Sequence, residues 1–133
     1  MCLRGASAVQ LILDRHPDWK VRVFVVWEAV RKKDKKGPPP GVYDRLKDSR
    51  VVQYWDPGLK LSKRIVHDML ANPKLQPKGE TITEKTIAWD FAAVYPRGVR
   101  WGKEFPAPKL YRKPVVQFDR DIELELGELN PAR

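Results

Sequence analysis

Apolar residues recur along the first half of the chain at two different spacings, and these predict a helix followed by two strands. Residues 3–16 carry apolar side chains at helical intervals until Pro17 stops the helix. The segments Val21–Trp27 and Arg50–Trp55 are rich in β-branched and aromatic residues, as buried strands are. A helix between such strands predicts parallel pairing through a right-handed crossover.

A second long helix is predicted directly after the second strand. Asp56 suits an N-cap, and Pro57 suits the first helical position, where its missing N–H has no consequence. Apolar residues then follow at helical spacing to about Ala71. A shorter helix is predicted over 42–48, between the two strands.

The second half of the chain predicts two further strands and a final helix. Thr86–Tyr95 alternates apolar and polar positions, and Val115–Phe118 is a short β-branched run. A loop joins them, so we expect an antiparallel hairpin. The tail carries Asp119 and Asp121 where a helix N-terminus favours negative charge, and a helix is predicted there. Together the elements predict an α/β fold with a central mixed sheet, Val21–Trp27 lying in the middle.

Length and composition predict a single domain over residues 1–133. The chain is 42% hydrophobic, enough to bury a core without disulfides or metals. No apolar stretch is long enough to span a membrane. The first ten residues lack the basic region, apolar run and cleavage site of a signal peptide, so a cytoplasmic location is expected.

The basic excess is concentrated in one segment. The formal net charge is +9, and much of it lies in residues 31–36, next to the Pro-rich residues 37–41. We expect residues 31–41 to form a mobile, solvated loop without a helix through the prolines. A second basic cluster combines Arg97, Arg100 and Lys103 with Trp101, the combination that binds nucleic acid by charge and stacking.

Cys2 is the candidate reactive residue. It precedes the first helix, where unpaired N–H groups and the helix dipole stabilise a thiolate, so its pKa is expected to fall below the ordinary value of about 8.5. A lone cysteine excludes an internal disulfide and a Cys-rich zinc site. His16 and His67 have no metal-ligand spacing, and no cofactor motif is present.

Aromatic and acidic residues are placed at the predicted strand ends. Trp27, Trp55 and Trp89 lie there, as do Glu28, Asp56 and Asp90. Because binding sites gather at the carboxyl edge of a parallel sheet, these residues predict an acidic, aromatic pocket. The alternative is that the tryptophans seal the sheet edge and Asp56 only caps a helix.

The order of elements resembles a thioredoxin-like domain that lacks its first strand. Cys2-Leu3-Arg4-Gly5-Ala6 is similar to the second half of a Cys-x-x-Cys motif at the start of the first long helix. The segments Val21–Trp27, Arg50–Gly58 and Ile87–Pro96 look like those of a poorly characterised bacterial thioredoxin-like group. The resemblance implies kinship with thiol-disulfide oxidoreductases, with Cys2 as the surviving redox residue.

Two expectations follow from the missing strand and first redox residue. The reading frame is expected to extend upstream, with a cysteine or a selenocysteine there, as in a truncated selenoprotein. The chain as given is expected to expose a strand edge through which it forms dimers.

Two classes of function therefore stay open. In the first, the protein carries out single-cysteine redox chemistry with a protein thiol or disulfide partner. In the second, it is a non-enzymatic binding module that uses its basic loops on nucleic acid or its aromatic surface on a protein. A strong salt dependence of binding distinguishes the nucleic-acid alternative.

Overall fold

Four helices and four short strands form a mixed α/β structure in the computed structural model, which describes residues 2–132. The helices are α1, α2, α3 and α4, over Leu3–Arg15, Pro40–Tyr43, Lys60–Ala71 and Asp119–Leu129. The strands are β1, β2, β3 and β4, over Val23–Glu28, Val51–Asp56, Ala92–Val94 and Leu110–Arg112. Three 3₁₀ turns lie at Lys32–Lys36, Pro73–Leu75 and Val115–Gln117.

The strands form two separate sheets rather than one central sheet. Strands β1 and β2 are parallel, in a register that runs from Val23 opposite Val51 to Glu28 opposite Asp56. Strands β3 and β4 are antiparallel, with Ala93 opposite Tyr111. The parallel pairing and the antiparallel hairpin are confirmed. The central position of Val21–Trp27 is wrong, because β1 pairs only with β2 in the described part of the chain.

The second strand of the hairpin differs from the predicted one. Val115–Gln117 is a 3₁₀ turn and not a strand, because local bonds from Gln117 N to Pro114 O and from Phe118 N to Val115 O satisfy its backbone. The hairpin partner is Leu110–Arg112, in a segment that the Pro and Gly content predicted as loop.

The predicted strand Thr86–Tyr95 is shortened to its last third. Asp90 adopts a left-handed conformation with φ of 51°, which interrupts extended backbone. The Ala88 N–H donates to the Ser62 hydroxyl at 2.7 Å instead of joining a ladder. The strand therefore runs only over Ala92–Val94.

The helix after β2 starts three residues later than predicted. Leu59 takes a left-handed φ of 54° as the N-cap, and α3 begins at Lys60. Asp56 still caps this helix from the end of β2, because its carboxylate accepts hydrogen bonds from Leu61 N at 2.8 Å and from Gly58 N at 3.2 Å. Its capping role is confirmed, and its position as the N-cap residue is wrong.

The basic segment is more ordered than predicted. Lys32–Lys36 forms a 3₁₀ turn around the buried Asp34, and α2 begins at Pro40, the first-turn position that proline favours. The lysines themselves are exposed, as expected. The predicted helix over 42–48 is replaced by the shorter α2. The C-terminal helix is confirmed, with Asp119 and Asp121 in its first turn.

Helix α1 joins two of the three hydrophobic clusters. Ala6 packs with Trp27, Val42 and Leu46 beneath the parallel sheet. Ile12 packs with the hairpin and α4, in a cluster that includes Val94, Val115 and Ile122. Val9 borders both clusters. The third cluster covers α3 and consists of Ile65, Val66, Met69, Leu75, Ala88 and Phe105.

The C-terminal end of α1 is fixed by Arg50. Its guanidinium donates to the carbonyl oxygens of Leu13 at 2.8 Å and His16 at 2.7 Å, and it also binds the Asp48 carboxylate at 2.6 Å. Helix carbonyls at this end have no intrahelical partner, so a cation that binds them is stabilising. This contact holds α1, and therefore Cys2 at its other end, in a defined position against β2.

Candidate functional site

Cys2 lies at the N-cap position of α1, as the sequence predicts. The first helical bond runs from Ala6 N to the Cys2 carbonyl, and the Cys2 side chain is half-buried. The Gly5 backbone N–H in the first turn interacts with this thiol, and so does Asp90, from a distant part of the chain.

Asp90 is the acidic neighbour of this thiol. Its left-handed backbone, with φ of 51°, is a conformation that aspartate tolerates better than most residues but that still costs about 1 kcal/mol or more. Its Oδ1 accepts a hydrogen bond from Val115 N at 3.3 Å. The bend at Asp90 and the bond to Val115 together turn the carboxylate toward the start of α1.

Gly5 leaves the space in which these groups meet. A side chain at Gly5 would place its Cβ 3.1 Å from Val115 Cβ, 3.2 Å from Cys2 Sγ and 3.4 Å from Asp90 Oδ1. The first two distances are closer than ordinary van der Waals contact. The sulfur and the carboxylate are therefore brought together over a helix position that has no side chain.

The pKa of Cys2 is raised, so the predicted thiolate is wrong for this structure. Burial has the largest effect, and the hydrogen-bonding and charge interactions with Asp90 raise the pKa further. The Gly5 backbone N–H lowers the pKa, but by less than these effects raise it. The helix N-terminus therefore does favour the thiolate, but burial of the thiol and the neighbouring Asp90 carboxylate outweigh it.

An open pocket of about 360 Å³ gives access to the thiol. Its walls combine the thiol and carboxylate with apolar and basic side chains, from Cys2, Leu3, Arg4, Trp89, Asp90 and Val116. Trp89 is 47% exposed, unusually high for a tryptophan that borders a cavity. Three of the predicted site residues, Cys2, Trp89 and Asp90, are thus brought together.

The other three predicted pocket residues lie elsewhere. Trp27 is buried in the core, where its indole N–H donates to Gln53 Oε1 at 2.8 Å. Trp55 packs against Gly37, whose positive φ of 83° places the backbone close to the indole ring. Asp56 binds the first turn of α3. For these residues the structure supports the alternative prediction, in which the tryptophans seal the sheet and Asp56 caps a helix.

Glu28, one of the acids at the predicted strand ends, has a strongly perturbed pKa. Its Oε1 accepts from Ser62 N at 3.0 Å, and it lies opposite Asp56 in the strand register. Burial raises its pKa to about 7, with a further contribution from the Asp56 charge. In the sequence, Glu28 stands at the end of the first strand, as Asp56 stands at the end of the second.

Neither histidine lies at the Cys2 pocket. His16 stacks on Trp19 with ring centroids 3.6 Å apart, and its Nε2 contacts Glu123 at 2.7 Å, beside a second open cleft. His67 is largely exposed on α3 and contacts Asp68. Among residues 2–132, no group of three or more His, Cys, Asp or Glu side chains could hold a metal ion.

Comparison of the chain with protein-family models, curated proteins and solved structures gives no match. The described helices include none that is long and apolar enough to cross a membrane. The function proposed below therefore rests on the geometry around Cys2.

Proposed function

We propose that the protein is a thioredoxin-like thiol-exchange protein in which Cys2 forms mixed disulfides with a protein or glutathione partner. The observation that carries this proposal is the meeting of the Cys2 thiol and the Asp90 carboxylate at an open pocket. A free thiol of this kind fits a reducing compartment such as the cytoplasm.

The raised pKa of Cys2 defines what Asp90 has to do. At neutral pH the thiol is largely protonated, and only a thiolate attacks a disulfide efficiently. A carboxylate beside the sulfur supplies a proton acceptor at the point of attack. Burial and the neighbouring Asp90 together keep the resting thiol protonated, and Asp90 receives its proton when a disulfide enters the pocket.

The exchange step balances without any other reagent. The Cys2 S–H bond breaks and its proton passes to Asp90. The sulfur then attacks one sulfur of the partner disulfide, forming a new S–S bond while the partner's S–S bond breaks. The departing thiolate takes the proton from Asp90 and leaves as a thiol. A second thiol reverses the reaction and releases Cys2.

The walls of the pocket favour a partner that presents an apolar group beside its disulfide. Trp89 offers an exposed ring, and Leu3 and Val116 add apolar surface. Arg4 is exposed at the same pocket and adds a positive charge. We expect glutathione disulfide, whose carboxylates Arg4 can contact, to react faster than a neutral disulfide of similar size.

The test compares exchange rates for the wild-type chain, C2S, D90N and a synthetic peptide of residues 1–10. The thiol pKa of each cysteine-containing species is measured from the thiolate absorbance, and each rate with glutathione disulfide is divided by the thiolate fraction. We expect the corrected rate of the wild-type chain to exceed that of the peptide by about tenfold or more. We expect C2S to be inert.

The Asp90 variant separates proton transfer from electrostatics. If the carboxylate acts only by its charge, D90N lowers the thiol pKa and speeds exchange at about pH 7. If it accepts the proton, D90N has the lower thiol pKa but exchanges more slowly at that pH, and the two proteins converge once the thiol is fully ionised. A corrected wild-type rate equal to that of the peptide contradicts the proposal.

A further inference from the structure

A second surface, far along the chain from Cys2, combines exposed aromatic and basic side chains. Trp101 is 42% exposed and lies in a segment, residues 96–104, whose side chains are all exposed. Arg97, Arg100 and Lys103 flank it, and none of them takes part in an ion pair with any described residue. Glu104 is the single acidic residue of the segment.

Hydrogen bonds at the C-terminal end of this segment attach it to α3. The buried Asp68 accepts a hydrogen bond from Phe105 N at 2.7 Å and also binds the Arg64 guanidinium at 3.0 Å. Arg64 in turn donates to the Lys103 carbonyl. Trp101 packs its edge on the buried Phe105, with ring centroids 5.3 Å apart. The indole is therefore supported from beneath while much of its surface stays open to solvent.

Helix α3 borders this segment through Arg64, which is exposed and already binds the buried Asp68. Arg97, Arg100 and Lys103 lie within four residues of Trp101 along the chain, and none of them has an ion-pair partner among the described residues. The segment therefore carries three unpaired cations beside one exposed aromatic ring.

We propose that this surface, which we call the Trp101 surface, binds single-stranded nucleic acid. Unpaired arginines and lysines contact phosphates, and an exposed indole stacks on a base whose face is open. In a duplex the base faces are covered by their neighbours, so a stacking platform favours a single strand. Ordering the segment in advance also reduces the entropy lost on binding.

Two alternatives have weaker support. An acidic protein partner accounts for the unpaired cations, but it uses the exposed indole face only if it also presents an apolar or aromatic group. An anionic membrane surface needs a larger apolar area than Val99 and Trp101 provide. The proposal is independent of Cys2, because none of the Trp101-surface residues lines the Cys2 pocket.

The test is fluorescence anisotropy with a labelled oligodeoxythymidine of about 15 nucleotides, long enough for one small domain. With three phosphate contacts, the slope of log K against log salt is expected to be about −2 for a single strand. W101A is expected to weaken binding about fivefold or more, and W101F to retain most of the affinity. Circular dichroism of each variant checks that it is folded.

A charge-matched pair of variants separates this surface from the net charge of the protein. R97Q/R100Q and K32Q/K33Q each remove two exposed positive charges. We expect the first to lower the salt slope by about 1.4 and the second to leave it almost unchanged. C2S is expected to bind as the wild-type chain does, so failure of thiol exchange and failure of this proposal are separate results.

Several outcomes overturn the proposal. Equal weakening by R97Q/R100Q and K32Q/K33Q, or no effect of W101A, means that binding reflects overall charge. Tighter binding to polyglutamate or to vesicles of anionic phospholipid than to the oligonucleotide assigns the surface to a protein or a membrane. Tighter binding to a duplex of the same length excludes the stacking platform.

Discussion

Glu28 and Asp56 stand opposite each other at the ends of β1 and β2, and both carboxylates accept backbone N–H groups from the start of α3. Glu28 binds Ser62 N at 3.0 Å, and Asp56 binds Leu61 N at 2.8 Å. The parallel register places the two acids side by side, and the helix N-terminus attracts both. Burial raises the pKa of Glu28, the Asp56 charge adds to this effect, and the fold therefore has a pH dependence that can be measured.

Stability is expected to fall as pH rises from about 4.3, the ordinary pKa of an unfolded glutamate. In the folded chain Glu28 keeps its proton up to about pH 7. Between these values the unfolded state holds fewer protons than the folded state, so raising the pH favours unfolding. Because Glu28 is only half-buried, we expect the whole effect to be about 1 kcal/mol.

Glu28→Gln is expected to remove this pH dependence. Glutamine keeps an oxygen that can accept from Ser62 N but carries no charge, so the variant should be more stable than the wild-type chain above pH 7 by about 1 kcal/mol. Urea unfolding at several pH values measures the difference. Glu84→Gln, at an exposed position, is the control and should leave the profile unchanged. A wild-type profile that stays flat between pH 4 and 7 would contradict the assignment.

Two helical glycines should respond in opposite directions to alanine. Gly5→Ala places a methyl group 3.1 Å from Val115 Cβ, and we expect it to cost about 1 kcal/mol despite the better helix propensity of alanine. Gly127→Ala meets only the Trp19 ring, at an ordinary 3.5 Å, and should gain a few tenths of a kcal/mol to about 1 kcal/mol. Thermal unfolding of both variants is the measurement. A stabilised Gly5→Ala shows that Val115 can move away, and it contradicts the close packing described for the Cys2 site.

The contact between Arg50 and α1 should be sensitive to shape as well as charge. Arg50→Lys keeps a cation but cannot reach the Leu13 and His16 carbonyls and Asp48 together, so a loss of about 2 kcal/mol is expected. Arg50 lowers the pKa of Asp48 to about 2. The stabilisation is therefore present above the ordinary aspartate pKa and is lost as pH falls toward 2.

Chemical unfolding of Arg50→Lys at neutral and acidic pH tests both parts of this prediction. The difference from the wild-type chain should narrow below about pH 4. Lys47→Gln removes one partner of the exposed Asp44–Lys47 pair, at 4.0 Å, and should change stability by less than about 0.5 kcal/mol. A difference that is the same at every pH assigns the effect to the carbonyl contacts alone.

Replacing Lys32, Lys33, Lys35 and Lys36 together by glutamine should change the free energy of unfolding by less than about 0.5 kcal/mol. All four side chains are exposed on the 3₁₀ turn, where charged groups contribute little to stability. Guanidinium unfolding gives the value. A loss of several kcal/mol means that the lysines hold the buried Asp34 in place and that the turn is a structural element.

The local sequence patterns predicted the long helices and the existence of paired strands better than they predicted the residues at which each strand begins and ends. Strands β1 and β2 were visible because their apolar runs are dense and bounded by turn residues. The strand that contains residues 92–94 was predicted to be too long, because the alternation of apolar and polar residues continues through Asp90. The left-handed backbone of Asp90 cannot be read from a hydrophobic pattern. The other hairpin strand was missed, because Leu110–Arg112 is only three residues long and lies among prolines.

The same division holds for the candidate site. The sequence determined by itself that Cys2 precedes a helix, that Asp56 caps another and that the lysines of residues 31–36 face water, because each depends on a few neighbouring residues. Only the tertiary structure decided that Asp90, and not Asp56, lies beside the thiol. It also decided that Trp89 lines the Cys2 pocket while Trp27 and Trp55 lie elsewhere. The pKa of Cys2 rises for the same reason: a helix terminus acts locally, whereas burial of the thiol depends on tertiary packing and Asp90 lies almost ninety residues away along the chain.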